Sequence, residues 1–236
     1  MTEKNWVSNS FIFLNYLDSW LSELPEIPLD SVIAIPENTA VFSVDVTNGF
    51  CTEGPLASPR VNSIIEPVID ILERSWDSGV RNMLLIQDSH EPDAVEFAEF
   101  PPHCIRGSEE AEPVAQIKAL PFFKEIPIVE KNSIAAELNT GLPEWMTHHP
   151  EVNTFIVVGD CTDICTYQLA MHLKIEANAN QLKRRVIVPV NAVDTYDMPV
   201  DTAAEIGALP HDGDLLHAVF LYHMNLNGIE IVNKLT

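Results

Sequence analysis

The chain is short of positive charge: 13 Lys and Arg stand against 35 Asp and Glu, giving a formal charge of -22 over 236 residues. Such a surface repels nucleic acid and anionic membrane faces at long range, so neither is an expected partner. The acids are spread through stretches such as 23–30 and 109–112 rather than massed in one block, which reads as a solvated surface and says nothing of substrate. Long apolar runs are missing too. No stretch approaches the about 20 apolar residues of a membrane span. The apolar stretch 11–17 is interrupted by Asn15 and closed by Asp18, with no basic region before it and no small-residue cleavage site after it, so it is expected to form an amphipathic helix rather than a signal peptide. Cysteine is scarce, with four residues. Without a secretory signal these are expected to be reduced thiols in a cytoplasmic compartment, where chemistry rather than cross-linking explains a special cysteine.

Strand-sized apolar runs are what the sequence does hold. Five stand at 40–44, 83–86, 126–129, 154–158 and 185–190, and a sixth at 229–232 follows Asn227-Gly228. Helical patterns lie between them: 61–76 puts Ile64, Ile65, Val68, Ile69 and Leu72 on one face, 167–179 follows the fourth strand, and Leu215, Val219 and Tyr222 mark another. Strands that alternate with helices, and are apolar throughout, predict an α/β fold: an open, doubly wound, mostly parallel six-stranded sheet with helices on both faces. The length suits a single domain over 1–236. Residues 1–38 precede the first strand and read as an N-terminal helical extension, with a Pro-rich connection at 24–28, packed on that domain.

Four of the strands stop at a chemically active group. Asp45 follows the first, Asp88 the second, Lys131 the third, and Gly159 leads from the fourth to Cys165. In an open parallel sheet the carboxyl ends of the strands share one edge, where ligands bind, so these groups are expected to converge. A single polar residue after a strand would mean little, since loops are polar; four of complementary type mean more. Cys165 closes a tight turn that leads into a helix, a position that favours thiolate and leaves backbone N–H groups free for an oxyanion. A second constellation is Asp88-Ser89-His90, then Glu96, then Pro101-Pro102-His103-Cys104. Residues two apart in an extended segment point the same way, so Asp88 and His90 can share a metal ion with His103 and a carboxylate. That mixed nitrogen and oxygen set suits zinc, iron or manganese, zinc first.

These segments resemble the isochorismatase-like cysteine hydrolases, and within them the nicotinamidase (pyrazinamidase) type. The matching pieces are 44–50, 87–90, Pro101-Pro102-His103-Cys104 with its continuation to Ser108, the Lys131 loop, and Gly159-Asp160-Cys161-Thr162-Asp163-Ile164-Cys165, over roughly residues 40–232. The resemblance implies an amide hydrolase that turns nicotinamide into nicotinate and ammonia through a cysteine thioester, a step of pyridine nucleotide salvage. It implies Cys165 as nucleophile, Asp45 as general base, Lys131 as stabiliser of the charged set, and the N–H groups of Cys161 and Cys165 as oxyanion hole, with a cis peptide at Asp160-Cys161. It also implies a divalent metal on Asp88, His90 and His103 that orients the pyridine ring, with Phe50 and Phe100 as ring walls. The chain departs from the pattern where Glu96 replaces a frequent third histidine, Gly49 a frequent aspartate and Cys161 a small alanine. Glu96 can still ligate through oxygen.

Two other readings fit the same scaffold. One is a metal-independent relative acting on another small amide, ureido or enol-ether substrate; the other is a non-catalytic small-molecule binding protein. Against the second stands the joint presence of Asp45, Lys131 and Cys165. A redox-sensing pair of Cys161 and Cys165 would lack the usual C-x-x-C spacing. Packing of the N-terminal extension over a neighbouring subunit of a homo-oligomer is a further expectation.

Overall fold

The computed structural model describes residues 5–236, and eight strands form among them. They are β1 (Glu26–Ile27), β2 (Thr39–Val44), β3 (Asn82–Asp88), β4 (Ile128–Lys131), β5 (Thr154–Gly159), β6 (Arg185–Pro189), β7 (Glu230–Val232) and β8 (Lys234–Leu235). Six of them build one sheet in the order β4-β3-β2-β5-β6-β7, and every neighbouring pair is parallel. The chain winds outward from β2 to β4, returns to place β5 on the other side of β2, and winds outward again. This is the expected doubly wound sheet, and its switch point lies between β2 and β5, where such folds open a crevice.

Alternate residues of the strands feed two separate cores. Val41 of β2 and Ile156 and Val158 of β5 pack with Val68, Ile71 and Leu72 of the helix Ile65–Asp77 on one face. Phe42 and Val44, with Phe155 and Val157, pack on the other against Leu169 and Leu173 of the helix Cys165–Ala179 and Leu221 of the helix Gly213–Leu226. Burial on both faces is why these strands carry no polar alternation.

Three local expectations shift. The third strand begins at Ile128 rather than 126, because Ile126 is tied back to Phe123 O at 3.1 Å and Pro127 has no N–H to give to a ladder. Lys131 therefore ends the strand instead of following it. The expected helix 61–76 is two helices, Pro59–Ser63 and Ile65–Asp77; Pro67 cannot donate to the carbonyl of Ser63, and its ring crowds that position. The N-terminal helix Trp6–Ser22 buries Leu17, while Trp6, Val7, Phe11 and Ile12 face solvent. Four consecutive apolar residues, Phe11 to Leu14, cannot all meet one neighbour on a 3.6-residue helix. Phe13, Tyr16 and Trp20 do pack edge-on against Tyr222. Further along, β1 pairs in parallel with β8, and Leu29 and Val32 behind it are buried. Among the described residues no helix is long and apolar enough to cross a membrane.

Candidate active site

Strand register brings the strand-end groups level. Val44 lies beside Ile86 and Gly159, and Asp88 lies beside Lys131. Asp45 leaves β2 with φ 53°, a left-handed conformation that Asp tolerates better than most residues, and its Oδ1 accepts from Asp88 N at 2.7 Å. Lys131 Nζ stands 2.8 Å from Asp45 Oδ2 and 2.5 Å from Asp88 Oδ1, and donates to Cys165 Sγ at 3.4 Å. Asp45, Asp88 and Cys165 each offer an atom within 4.8 Å of the others. All four side chains are buried.

One buried ammonium between two carboxylates sets their protonation. Asp45 is raised from 3.8 to about 6, by burial first and the Asp88 charge second, with Lys131 opposing. Asp88 goes the other way: burial would raise it, but the Lys131 charge and contacts from His103 and His90 hold it well below the usual carboxylate range. Burial would also lower Lys131, yet Asp45 and Asp88 keep it firmly protonated. Cys165 is the first residue of its helix, but burial, with Asp45 and Asp88 adding to it against Lys131, pushes its thiol well above the ordinary value. The expected thiolate is thus not the resting form. A thiol beside a carboxylate that is largely ionised at neutral pH is a nucleophile with its base in place.

Before Cys165 the backbone makes the turn that the motif predicts. Gly159 has φ +114°, and a Cβ there would lie 1.9 Å from Val44 O, so only glycine fits. The peptide Asp160-Cys161 is cis, as the resemblance implies. The turn's own hydrogen bonds run from Ile164 N and Thr166 N to Cys161 O and from Thr162 N to Asp194 O, which leaves the N–H groups of Cys161 and Cys165 out of them.

Beside this set lies a cluster of Asp88, His90 and His103 with ligand-type atoms within 4.8 Å of one another. A parallel bridge between His90 and Ile105 brings the His103 loop back to the end of β3. His90 Nδ1 faces Asn132 Oδ1 at 3.3 Å and His103 Nδ1 faces Pro101 O at 2.8 Å. Both partners are acceptors, so both Nδ1 atoms carry protons, and a neutral ring turns its Nε2 lone pair to the cluster. Those Nε2 atoms lie 3.4 Å and 3.6 Å from Asp88 Oδ2, and His90 Nε2 is buried without a hydrogen-bond partner. The donor set and the orphaned nitrogen fit a divalent metal.

A pocket of about 410 Å³, counted to its open mouth, joins the two constellations: Asp45, Cys165, Cys161, Asp88 and His103 all line it. A match to the isochorismatase domain runs over residues 39–209 of the chain. The chain belongs to the isochorismatase family. Across 235 aligned residues this isochorismatase-family chain is 28% identical to nicotinamidase 1 of Arabidopsis thaliana, spanning 89% of this chain and 93% of that protein. Solved structures share the fold. The pyrazinamidase/nicotinamidase of Streptococcus mutans superposes with a TM-score of 0.66 at 20% identity, over 82% of this chain and 99% of that one. The N-carbamoylsarcosine amidase of Thermoplasma acidophilum gives 0.60 at 22%, over 83% and 95%.

The remaining residues singled out from sequence in this isochorismatase-family chain fall in the same pocket with unequal intimacy. Phe50 and Phe100 line it, and their rings stand 5.4 Å and 6.3 Å from that of His103. Glu96 also lines it but lies outside the Asp88, His90 and His103 cluster, and burial followed by the Asp88 charge raises its carboxyl. Sequence reasoning missed Leu56, Ile134, Ile164 and Tyr196 in the lining, and Phe97, which packs edge-on against both His90 and His103. Tyr196 follows the carboxyl end of β6, the same signal that marks Asp45, Asp88 and Lys131; Phe97 carries none.

Proposed function

We propose that this protein hydrolyses nicotinamide to nicotinate and ammonia. The observation that carries the reading is one pocket lined by Asp45 and Cys165, with Lys131 bonded behind them, and by Asp88 and His103, with His90 completing their cluster, in a chain similar to a plant nicotinamidase over nearly its whole length.

Cys165 Sγ attacks the carboxamide carbon as Asp45 takes the thiol proton, and Lys131 stabilises the sulfur anion as it forms. The carbonyl oxygen becomes the oxyanion of a tetrahedral adduct, within reach of the N–H groups of Cys161 and Cys165. Asp45 returns the proton to the departing nitrogen, the C–N bond breaks, and ammonia leaves behind a thioester. Water then gives a proton to Asp45 as its oxygen attacks the thioester carbon. The C–S bond breaks, Cys165 recovers its proton, and nicotinate is released. A divalent ion held by Asp88, His90 and His103 would accept the pyridine nitrogen and so orient the ring. Phe50 and Phe100 flank that ring, and Glu96 stands as an outer carboxylate of the set.

Ammonia release from nicotinamide by the purified protein tests this, before and after chelation and metal return. Release that falls on chelation and recovers with zinc, iron or manganese is the expected result. No release from metal-loaded, reduced protein would move the substrate to another small amide or ureido compound.

A further inference from the structure

The turn that carries the proposed oxyanion donors is held from outside the pocket as well as within it. Asp163 lies midway between Cys161 and Cys165, and its Oδ2 stands 2.8 Å from His211 Nε2. The other ring nitrogen, Nδ1, stands 2.9 Å from Tyr196 O. A carboxylate and a peptide carbonyl accept hydrogen bonds and cannot donate them, whereas a neutral imidazole has a single N–H. Only the doubly protonated ring satisfies both contacts. His211 is buried, and its ring stacks on the Tyr196 ring at 3.9 Å and 19°, an aromatic face that favours a cation. Tyr196 itself lines the pocket.

We infer that His211 is a positioning residue: as an imidazolium it clasps the turn bearing Cys161 and Cys165 to the pocket wall at Tyr196, and so sets how firmly the substrate ring is held. The inference rests on the nicotinamidase reading above for its substrate. The groups around His211 agree with a cation there. From the turn comes Asp163, from the segment after β6 come Tyr196 and Asp197, and beside it in sequence stands Asp212. Arg60 is engaged by Asp194, Asp214 and Thr195 O. His217, against Thr162 Oγ1, is lowered chiefly by burial.

Burial opposes the charge on His211, but the Asp163 bond and charge and the Tyr196 carbonyl outweigh it, so the folded ring holds its proton to higher pH than the unfolded one. Asp163 is lowered by His211 against its own burial. The His211 contribution is complete below the unfolded value of about 6.5 and is lost as pH rises through the raised folded value. The Asp163 contribution is present above the unfolded 3.8 and is lost as pH falls through the lowered one. When His211 gives up its proton, one acceptor faces a lone pair and the clasp loosens, which weakens binding more than the chemical step.

The test joins an NMR titration of the His211 ring, read without substrate, to pH profiles for wild type, His211→Gln and Asp163→Asn. His211 is expected to titrate above about 6.5, and to titrate lower in Asp163→Asn than in wild type. In wild type, KM for nicotinamide should rise over the pH range in which His211 titrates. His211→Gln should raise KM by about ten-fold or more at low pH, with kcat within about three-fold, and should flatten that pH dependence. A wild-type His211 that titrates at or below about 6.5 overturns the proposal, even if a variant fails to fold; so does KM unchanged in both variants. Wild-type protein that releases no ammonia from nicotinamide sinks the substrate reading alone, because the titration needs no substrate.

Discussion

Lys131 places one ammonium against two carboxylates and a thiol, and the three partners respond differently. Asp88, which also faces two histidines, stays ionised; Asp45 is lifted to about 6; Cys165 keeps its proton. Removing the sulfur or the base should therefore be equally damaging. Cys165→Ala and Asp45→Asn are each expected to lower kcat/KM by at least about 10⁴-fold while leaving the fold intact, as read by ammonia release and circular dichroism. The acid limb of kcat/KM should lie near the value of about 6 for Asp45: above it the carboxylate is free to take the thiol proton, and below it activity falls. Residues at strand ends were legible because the sheet carries them to one edge whatever the details of packing. The state of the thiol was not, because it depends on how deeply two acids are buried beside it. Glu96 and Tyr196, which line the pocket, and Phe97, which packs on the histidines, show the same limit, since their positions depend on loop paths that spacing does not encode.

At the level of elements, the site depends on β2 and β5 lying close enough that a side chain between them is impossible. Gly159→Ala would force a methyl group against Val44 O in a left-handed backbone. Its expected cost is at least about 2 kcal/mol, measured as a lowered urea midpoint, with activity lost because the cysteine turn shifts. Unchanged stability would mean that the strands separate freely there. The strands themselves were readable from continuous apolar runs, to within two residues even at β4. The split at Ile64 could have been read from Pro67. The N-terminal helix was harder: its apolar residues are spread around the axis, so the pattern does not reveal which side meets Tyr222.

For the molecule as a whole, the charge of -22 exerts little pull on a neutral amide. We expect kcat/KM for nicotinamide to change less than about two-fold between roughly 0.05 and 0.5 M salt, because there is no long-range attraction to screen. A steep salt dependence in steady-state kinetics would point instead to a charged substrate. Doubly wound topology was legible from the alternation of strands and helices, whereas the pairing of β1 with β8 was not, since two-residue strands leave no periodic trace. That pairing has a consequence for biosynthesis. Leu29 N donates to Thr236 O and Thr236 N to Ile27 O, at 2.8 Å and 2.9 Å, so the segment 26–29 finds its partner among residues translated long after it. On the ribosome the six-stranded sheet can begin to assemble from its central strands, but the segment 26–29 must wait for residues 234–236 to emerge.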